Sequence, residues 1–308
     1  VESRESKRVL IALGGNAMTG PDGSATPDDQ RHAVERAMAH VRTLVEAGRH
    51  VVLTHGNGPQ VGNILLKNQL TADVVPPVPL DWCGAQTQAT IGTLIMNALD
   101  PIPAAVVVTR TLVDPGDPAF ADPDKPIGRY FPESEARRFE AHGEVWRSFE
   151  RGWRRVVASP QPLRILDAPA AIALMEAGYV VVAAGGGGVP VARTADGKLG
   201  GVEAVIDKDR AAAVLARAVG ADTLIIATDV PNAVVGYGTP GARPLGAVTA
   251  AELRDLHAAG HFASGSMGPK VEAATRFVED GGRLSVITSL ERLADDKSGT
   301  RVSKQMER

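Results

Sequence analysis

Six short stretches of this chain are apolar at almost every position: residues 9–13, 51–54, 104–108, 180–184, 223–227 and 284–287. A strand with one wet face alternates apolar and polar side chains, whereas a strand covered on both faces does not. These runs therefore predict strands of a mainly parallel sheet. Between them the apolar spacing becomes helical. Thr26-Pro27-Asp28-Asp29 offers an N-cap, a proline at the first helical position and an acid at the third, and Val34, Ala37, Met38, Val41, Leu44 and Val45 then share one face as far as Gly48. Similar patterns cover 61–70, 82–99 and 249–260. A further helix, with Asp207 as its N-cap, carries Val214, Leu215, Ala218 and Val219 on one side and closes at Gly220. Another opens at 265–270 and buries Val271, Ala274, Phe277 and Val278. Strand, helix and strand in succession predict right-handed crossovers, and the polar tail from Asp295 is expected to fray.

Polar residues gather where these strands end. Gly14-Gly15-Asn16 follows the first strand, His55-Gly56-Asn57-Gly58-Pro59-Gln60 the second, and Gly185 to Gly188 the strand at 180–184. Glycine runs present backbone N–H groups with no side chain in front of them, so an anion can approach closely. Ligands of open α/β sheets bind just outside the carboxyl ends of the strands, so these turns should face one site. Asp207-Lys208-Asp209 starts a helix, and its lysine is misplaced for the helix dipole but suited to gripping a phosphate. Thr228-Asp229 follows the next strand, and Lys270 sits in another glycine-containing turn.

Composition narrows the partner. The 308 residues are 44% hydrophobic with a formal net charge of -3, so no basic field invites nucleic acid or an anionic membrane, and a small molecule is expected instead. Cys83 is the only cysteine, which excludes an internal disulfide or a cysteine zinc cluster. No apolar run approaches the ~20 residues of a membrane span, and residues 1–8 carry no apolar signal core, so the expectation is a cytoplasmic protein. Aromatic residues are scarce at 4% yet collect in 114–161, including Phe120, Tyr130, Phe131, Phe139, Trp146, Phe149 and Trp153. They need a small core of their own, which predicts an inserted subdomain carrying Lys125.

Several signals exclude other chemistries. Residues 236–241 fit G-x-G-x-x-G, but Pro240 and Pro244 forbid the helix that must begin there. The chain has no Walker A lysine, no H-E-x-x-H and no G-x-S-x-G, its histidines lack metal-ligand spacing, and His55 reads as a turn or hydrogen-bonding residue. Glycine turns with Lys125, Lys208 and Lys270 suit phosphoryl transfer, where catalysis is chiefly positioning and charge neutralisation.

The motifs LGGNA at 13–17, THGNGPQVG at 54–62, KPIG at 125–128, RGWRRVV at 151–157, GGGGVPV at 185–191, EAVIDKD at 203–209 and GSMGPKV at 265–271 resemble the carbamate kinases, a branch of the amino acid kinase superfamily. The resemblance runs from the first strand to beyond Leu290. It implies a single α/β domain over 1–308, a three-layer αβα sandwich with a mainly parallel central sheet, and an inserted lid at 114–161. It implies reversible phosphoryl transfer between ATP and carbamate, giving ADP and carbamoyl phosphate, with a related kinase of another small carboxylate, carboxamide or phosphonate as the alternative. Magnesium would be held through the nucleotide phosphates rather than by metal-binding residues. The family also implies a homodimer and a place in arginine or purine breakdown.

Carried over by position, the resemblance makes Lys125, Lys208, Asp209 and Lys270 catalytic. The lysines would neutralise phosphate charge and Asp209 would orient Lys208 and Lys270, with Lys125 reaching down from the lid. Gly14, Gly15, Asn16, Gly56, Asn57, Gly186 and Gly187 would hold carbamate and the moving phosphoryl group, and Thr228, Asp229, Tyr237, Met267 and Gly268 the nucleotide. Three places depart from the family pattern. Gln86-Thr87-Gln88-Ala89 stands where Met-Ser-Gln-Gly is usual, Ala158 replaces a common proline, and Val234-Val235-Gly236 is unusual after the Thr-Asp-Val turn.

Overall fold

In a computed structural model, which describes residues 8–20, 24–141, 143–263 and 265–305, the chain is built on one central sheet. Its strands are β1 Arg8–Leu13, β2 His50–His55, β3 Ala104–Val106, β4 Val180–Val182, β5 Thr223–Thr228, β6 Ala247–Thr249, β7 Leu284–Ser289 and β8 Thr300–Ser303. They lie side by side in the order β6-β8-β7-β5-β1-β2-β4-β3. Every neighbouring pair is parallel except β7 with β8. The helices are α1 Pro27–Glu46, α2 Gly58–Thr71, α3 Leu80–Leu99, α4 Glu133–Glu140, α5 Ala168–Glu176, α6 Lys208–Ala218, α7 Ala250–Ala258 and α8 Met267–Glu279.

The strands do not alternate in sequence because each of their faces has its own core. In β1, Leu10 and Ala12 join Leu224 and Ile226 of β5 in a cluster covered by α5, α6, α7 and α8. Val9, Ile11 and Leu13 join Ile225 and Ala227 in the other cluster, under α1 and α3. That is the expected three-layer sandwich. Burial of one such leucine or isoleucine contributes roughly 1.5–3 kcal/mol, so the central strands tolerate no charge on either side.

Element ends moved for identifiable reasons. α2 starts at Gly58 rather than 61, because Pro59 sits in the first turn, where a missing N–H loses nothing. α3 starts at Leu80, two residues early, behind Pro79. β3 ends at Val106 instead of 108. The tail corrects a larger expectation: it does not fray at Asp295 but returns as β8, antiparallel to β7. Thr300 and Val302 are buried there, and the Thr300 hydroxyl donates to the Leu245 carbonyl at 2.7 Å. Four residues ending a polar segment are too few to show an apolar period.

Residues 125–157 form a separate three-stranded antiparallel sheet of Lys125–Phe131, Gly152–Val157 and Val145–Phe149, joined by α4. Phe131, Phe139 and Trp146 make its core, with ring centroids 5.4 to 5.7 Å apart. Phe120 belongs elsewhere and packs against Val113, Ala192, Ile206 and Ala211 of the main body. No helix of the described residues is long and apolar enough to cross a membrane.

Candidate active site

β1 and β5 are neighbours, but the chain leaves β1 through α1 on one face of the sheet and leaves β5 towards α7 and α8 on the other, so a crevice opens at the carboxyl ends of these strands. A cleft of about 1540 Å³ lies there. Its walls include Gly14, Gly15, Gly56, Asn57, Lys125, Gly186, Lys208, Asp209, Thr228, Asp229 and Lys270. The bed is made of closely apposed backbone. A Cβ on Gly14 would sit 2.9 Å from the Ala227 carbonyl oxygen, and one on Gly186, at φ +64, would meet the Asn57 amide nitrogen at 2.0 Å. Neither position can take a side chain without moving the turn.

Asn57 is held from behind by donating to the Thr87 hydroxyl at 2.8 Å. Thr87 belongs to the segment that departs from the family pattern, and it keeps the hydroxyl of the usual serine. Gln88 beside it brackets Thr109, accepting from its backbone N–H at 2.8 Å and donating to its carbonyl at 3.2 Å.

The charged groups converge on α6 and α8, whose N-terminal turns both reach the cleft. Asp209, buried in the first turn of α6, meets the Lys208 ammonium at 3.0 Å through one oxygen and the Lys270 ammonium at 2.9 Å through the other. Lys208 also donates to the Leu13 carbonyl at 3.2 Å, the same carbonyl that accepts the Gly56 N–H. This ties the lysine to the glycine bed. Burial alone would raise the Asp209 carboxyl, but the Lys208 and Lys270 ammonium groups override it and hold it at about 2. Burial pushes the Lys208 ammonium down, opposed by Asp209 and reinforced by Lys270. Lys125 enters from the small sheet and pairs with Asp207 at 2.9 Å.

Under the bed lies His55, fully buried, its Nδ1 donating to the Gly56 carbonyl at 2.9 Å. Burial lowers its imidazole to about 4, with Lys208 pushing the same way, so it is neutral at ordinary pH. That matches a hydrogen-bonding turn residue.

The remaining expected residues are more dispersed. Thr228 and Asp229 share a hydrogen bond of 3.0 Å at the end of β5. Gly187, Met267 and Gly268 lie beside the cleft without lining it, and Tyr237 is 81% exposed. Asn16 falls in the turn Gly15–Met18, and its side chain lies outside the described residues. Two further residues face the cleft without a local sequence signal for doing so. Asp207, the cap of α6, lines it and pairs with Lys125, and Arg154 lines it from the small sheet, where it donates to the Gly128 carbonyl at 2.9 Å and stacks over Tyr130. Strand alternation separates it from Arg155, which faces away and pairs with Glu144 and Glu203.

A glycine bed with two lysines at helix starts suits anionic phosphate groups, and the comparisons with known proteins place the chain in a family. The amino acid kinase family model matches residues 7–289. The chain belongs to the amino acid kinase family. Among curated members it is 45% identical to a carbamate kinase of Thermococcus kodakarensis, over 97% of this chain and 100% of that one. It is 43% identical to a carbamate kinase of Giardia intestinalis over 97% and 98%. A solved carbamate kinase of Giardia lamblia bound to AMP-PNP superposes with a TM-score of 0.92 at 43% identity, covering 98% of this chain and 99% of that one. Within the amino acid kinase family the chain therefore groups with the carbamate kinases in both sequence and fold.

Proposed function

We propose that this protein is a carbamate kinase, transferring the γ-phosphoryl group of ATP to carbamate and, in reverse, the phosphoryl group of carbamoyl phosphate to ADP. The observation that carries this reading is the Lys208–Asp209–Lys270 group set against the Gly14–Gly56 bed, in a chain 45% identical to a carbamate kinase.

Carbamate is already an anion near neutral pH, so its oxygen attacks the γ-phosphorus without a general base. The new P–O bond forms as the bond to the β–γ bridging oxygen breaks, and that oxygen leaves with ADP. The obstacle is bringing two anions into contact, which fixed ammonium groups and backbone donors address directly. In this reading Gly14, Gly15, Asn16, Gly56, Asn57, Gly186 and Gly187 seat carbamate and the moving group. Lys208 and Lys270 meet its equatorial oxygens, and Asp209 orients the two lysines. Lys125 closes over them with residues 114–161 acting as a lid. Thr228 and Asp229 face the nucleotide, with Tyr237, Met267 and Gly268 at its outer edge.

Magnesium, when bound, shields the phosphate charges. It fits here as a nucleotide complex, since both Asp209 oxygens already face lysines and no group of three or more His, Cys, Asp or Glu side chains that could hold a metal occurs among the described residues. Homodimeric assembly and a role in arginine or purine breakdown belong to the same proposal and rest on the family resemblance, and a cytoplasmic location belongs to it as expected from the apolar pattern of the sequence.

The test is phosphorylation of ADP by carbamoyl phosphate, run beside ATP hydrolysis coupled to a panel of small acids. Turnover with carbamate and carbamoyl phosphate is expected. Brisk turnover of a different carboxylate, with none of carbamate, would overturn the substrate assignment.

A further inference from the structure

Asp207 carries two tasks on its two oxygens. Oδ1 accepts from the backbone N–H groups of Asp209 at 3.0 Å and Arg210 at 3.3 Å, which caps α6. Oδ2 meets the Lys125 ammonium at 2.9 Å, across 82 positions of sequence. A cap needs only one oxygen, and serine, threonine or asparagine would serve as well. The second oxygen and the charge are therefore surplus to capping, and both are spent on the small sheet.

The pairing is one of a series. Along 203–207, Glu203, Val205 and Asp207 each touch the small sheet or Ala158, the residue that follows its strand Gly152–Val157. Glu203 pairs with Arg155, the Val205 N–H donates to the Ala158 carbonyl at 3.0 Å, and Asp207 takes Lys125. Ala158 and Ala204 form a parallel bridge between the first two contacts. Inside the small sheet Lys125 lies opposite Val157, next to Ala158. The strip then runs without a break into Lys208 and Asp209. The body segment that grips the small sheet is thus continuous with the one that presents the central charges.

We infer that Asp207 is a positioning residue for phosphoryl transfer: it holds the Lys125 ammonium at the cleft beside Lys208 and Lys270, and so registers the lid against the start of α6. The inference rests on the carbamate kinase reading and adds a residue to it. A lysine on a four-carbon stem loses much rotamer freedom when it is fixed, and a carboxylate that fixes it beforehand removes that loss from the reaction. Asp207 also tempers the field. Three ammonium groups with Asp207 and Asp209 leave a net +1, so Lys125 rests at the cleft without repelling its neighbours until an anionic phosphoryl group draws it across.

Asp207→Asn separates the two tasks, because the amide oxygen still caps α6 while the charge is gone. With ADP and carbamoyl phosphate, this variant is expected to lose about tenfold in kcat with KM for ADP changed by less than about twofold. Its thermal midpoint should stay at the wild-type value. In a Lys125→Ala background the same substitution is expected to cost nothing further. Unchanged kcat in Asp207→Asn, or an equal loss in both backgrounds, would reduce Asp207 to a helix cap. A second readout needs no turnover: acylation of Lys125 by an N-hydroxysuccinimide ester, followed by mass spectrometry, should be several-fold faster in Asp207→Asn, with other lysines unchanged. Equal rates would overturn the hold on Lys125. Should the wild type fail to use carbamoyl phosphate at all, the functional reading falls, while the acylation rates still decide the role of Asp207.

Discussion

Lys208 and Lys270 stand on helices packed into the central core, with side chains 12% and 15% exposed and a shared partner in Asp209. Lys125 stands on a small sheet with a three-ring core, is 34% exposed, and meets one carboxylate. The first pair is desolvated as part of folding, so its charges are strong and already in place when the substrates arrive. Asp209 compensates part of that buried positive charge, and the remainder is left for an anion to meet. Lys125 is held by a single ion pair at the cleft edge, and under the proposed function it is the lysine free to exchange Asp207 for a phosphoryl oxygen. One side of the cleft supplies a fixed field, and the other supplies an adjustable charge.

The comparison breaks most readily at the fixed side. Lys208→Ala and Lys270→Ala are each expected to lower kcat by about 100-fold or more, the size seen when a preorganised partner of transition-state charge is removed. Each single variant leaves Asp209 one lysine, so the fold should survive and circular dichroism should match wild type. Near-normal rates in both would deny the central charges any part in the chemistry. On the adjustable side, Lys125→Ala is expected to lower kcat by about thirtyfold, with thermal stability unchanged because the lost ion pair is partly exposed. A Lys125 loss as large as that of Lys208 would erase the distinction between the two sides.

The fixed side was the more legible of the two in the sequence, for physical reasons. Strands buried on both faces write uninterrupted apolar runs, and the turns after them must be glycine where backbones approach as closely as Gly14 does Ala227, or Gly186 does Asn57. Lys208 and Asp209 announced themselves by standing directly after an N-cap. What sequence could not display was pairing at a distance. Asp207 and Lys125 are 82 positions apart, and nothing local distinguishes a capping aspartate from one that also pairs with a distant lysine. Arg154 was hidden because its neighbour Arg155 is chemically identical, and only the register of the small sheet decides which one faces the cleft. β8 carries no local signal because its order comes from tertiary partners, with Thr300 bonded to Ala233 and Leu245, rather than from an apolar pattern.

The smallest expected effect concerns acid, and it falls on the fixed side alone. His55 supports the Gly56 turn from within the core, and burial lowers its imidazole from 6.5 to about 4. Above about pH 6.5 the ring is neutral in both the folded and unfolded chain, and its contribution to stability is fully present. Below that, the unfolded chain takes up a proton that the folded chain refuses, so unfolding becomes progressively easier until about pH 4, where the folded ring titrates too. Between pH 7 and pH 5.5 this group should remove about 1 kcal/mol of stability, at ~1.4 kcal/mol per unit of separation. Asp209, held at about 2, stays ionised throughout that window, so the central charge group itself should not be the acid-sensitive element. Urea unfolding of wild type and His55→Gln at the two pH values isolates the imidazole's share, since glutamine has no proton to gain. The difference between the pH 7 and pH 5.5 midpoints should shrink in the variant by the His55 share. An identical acid dependence in both proteins would mean that the imidazole is not held neutral beneath the glycine bed.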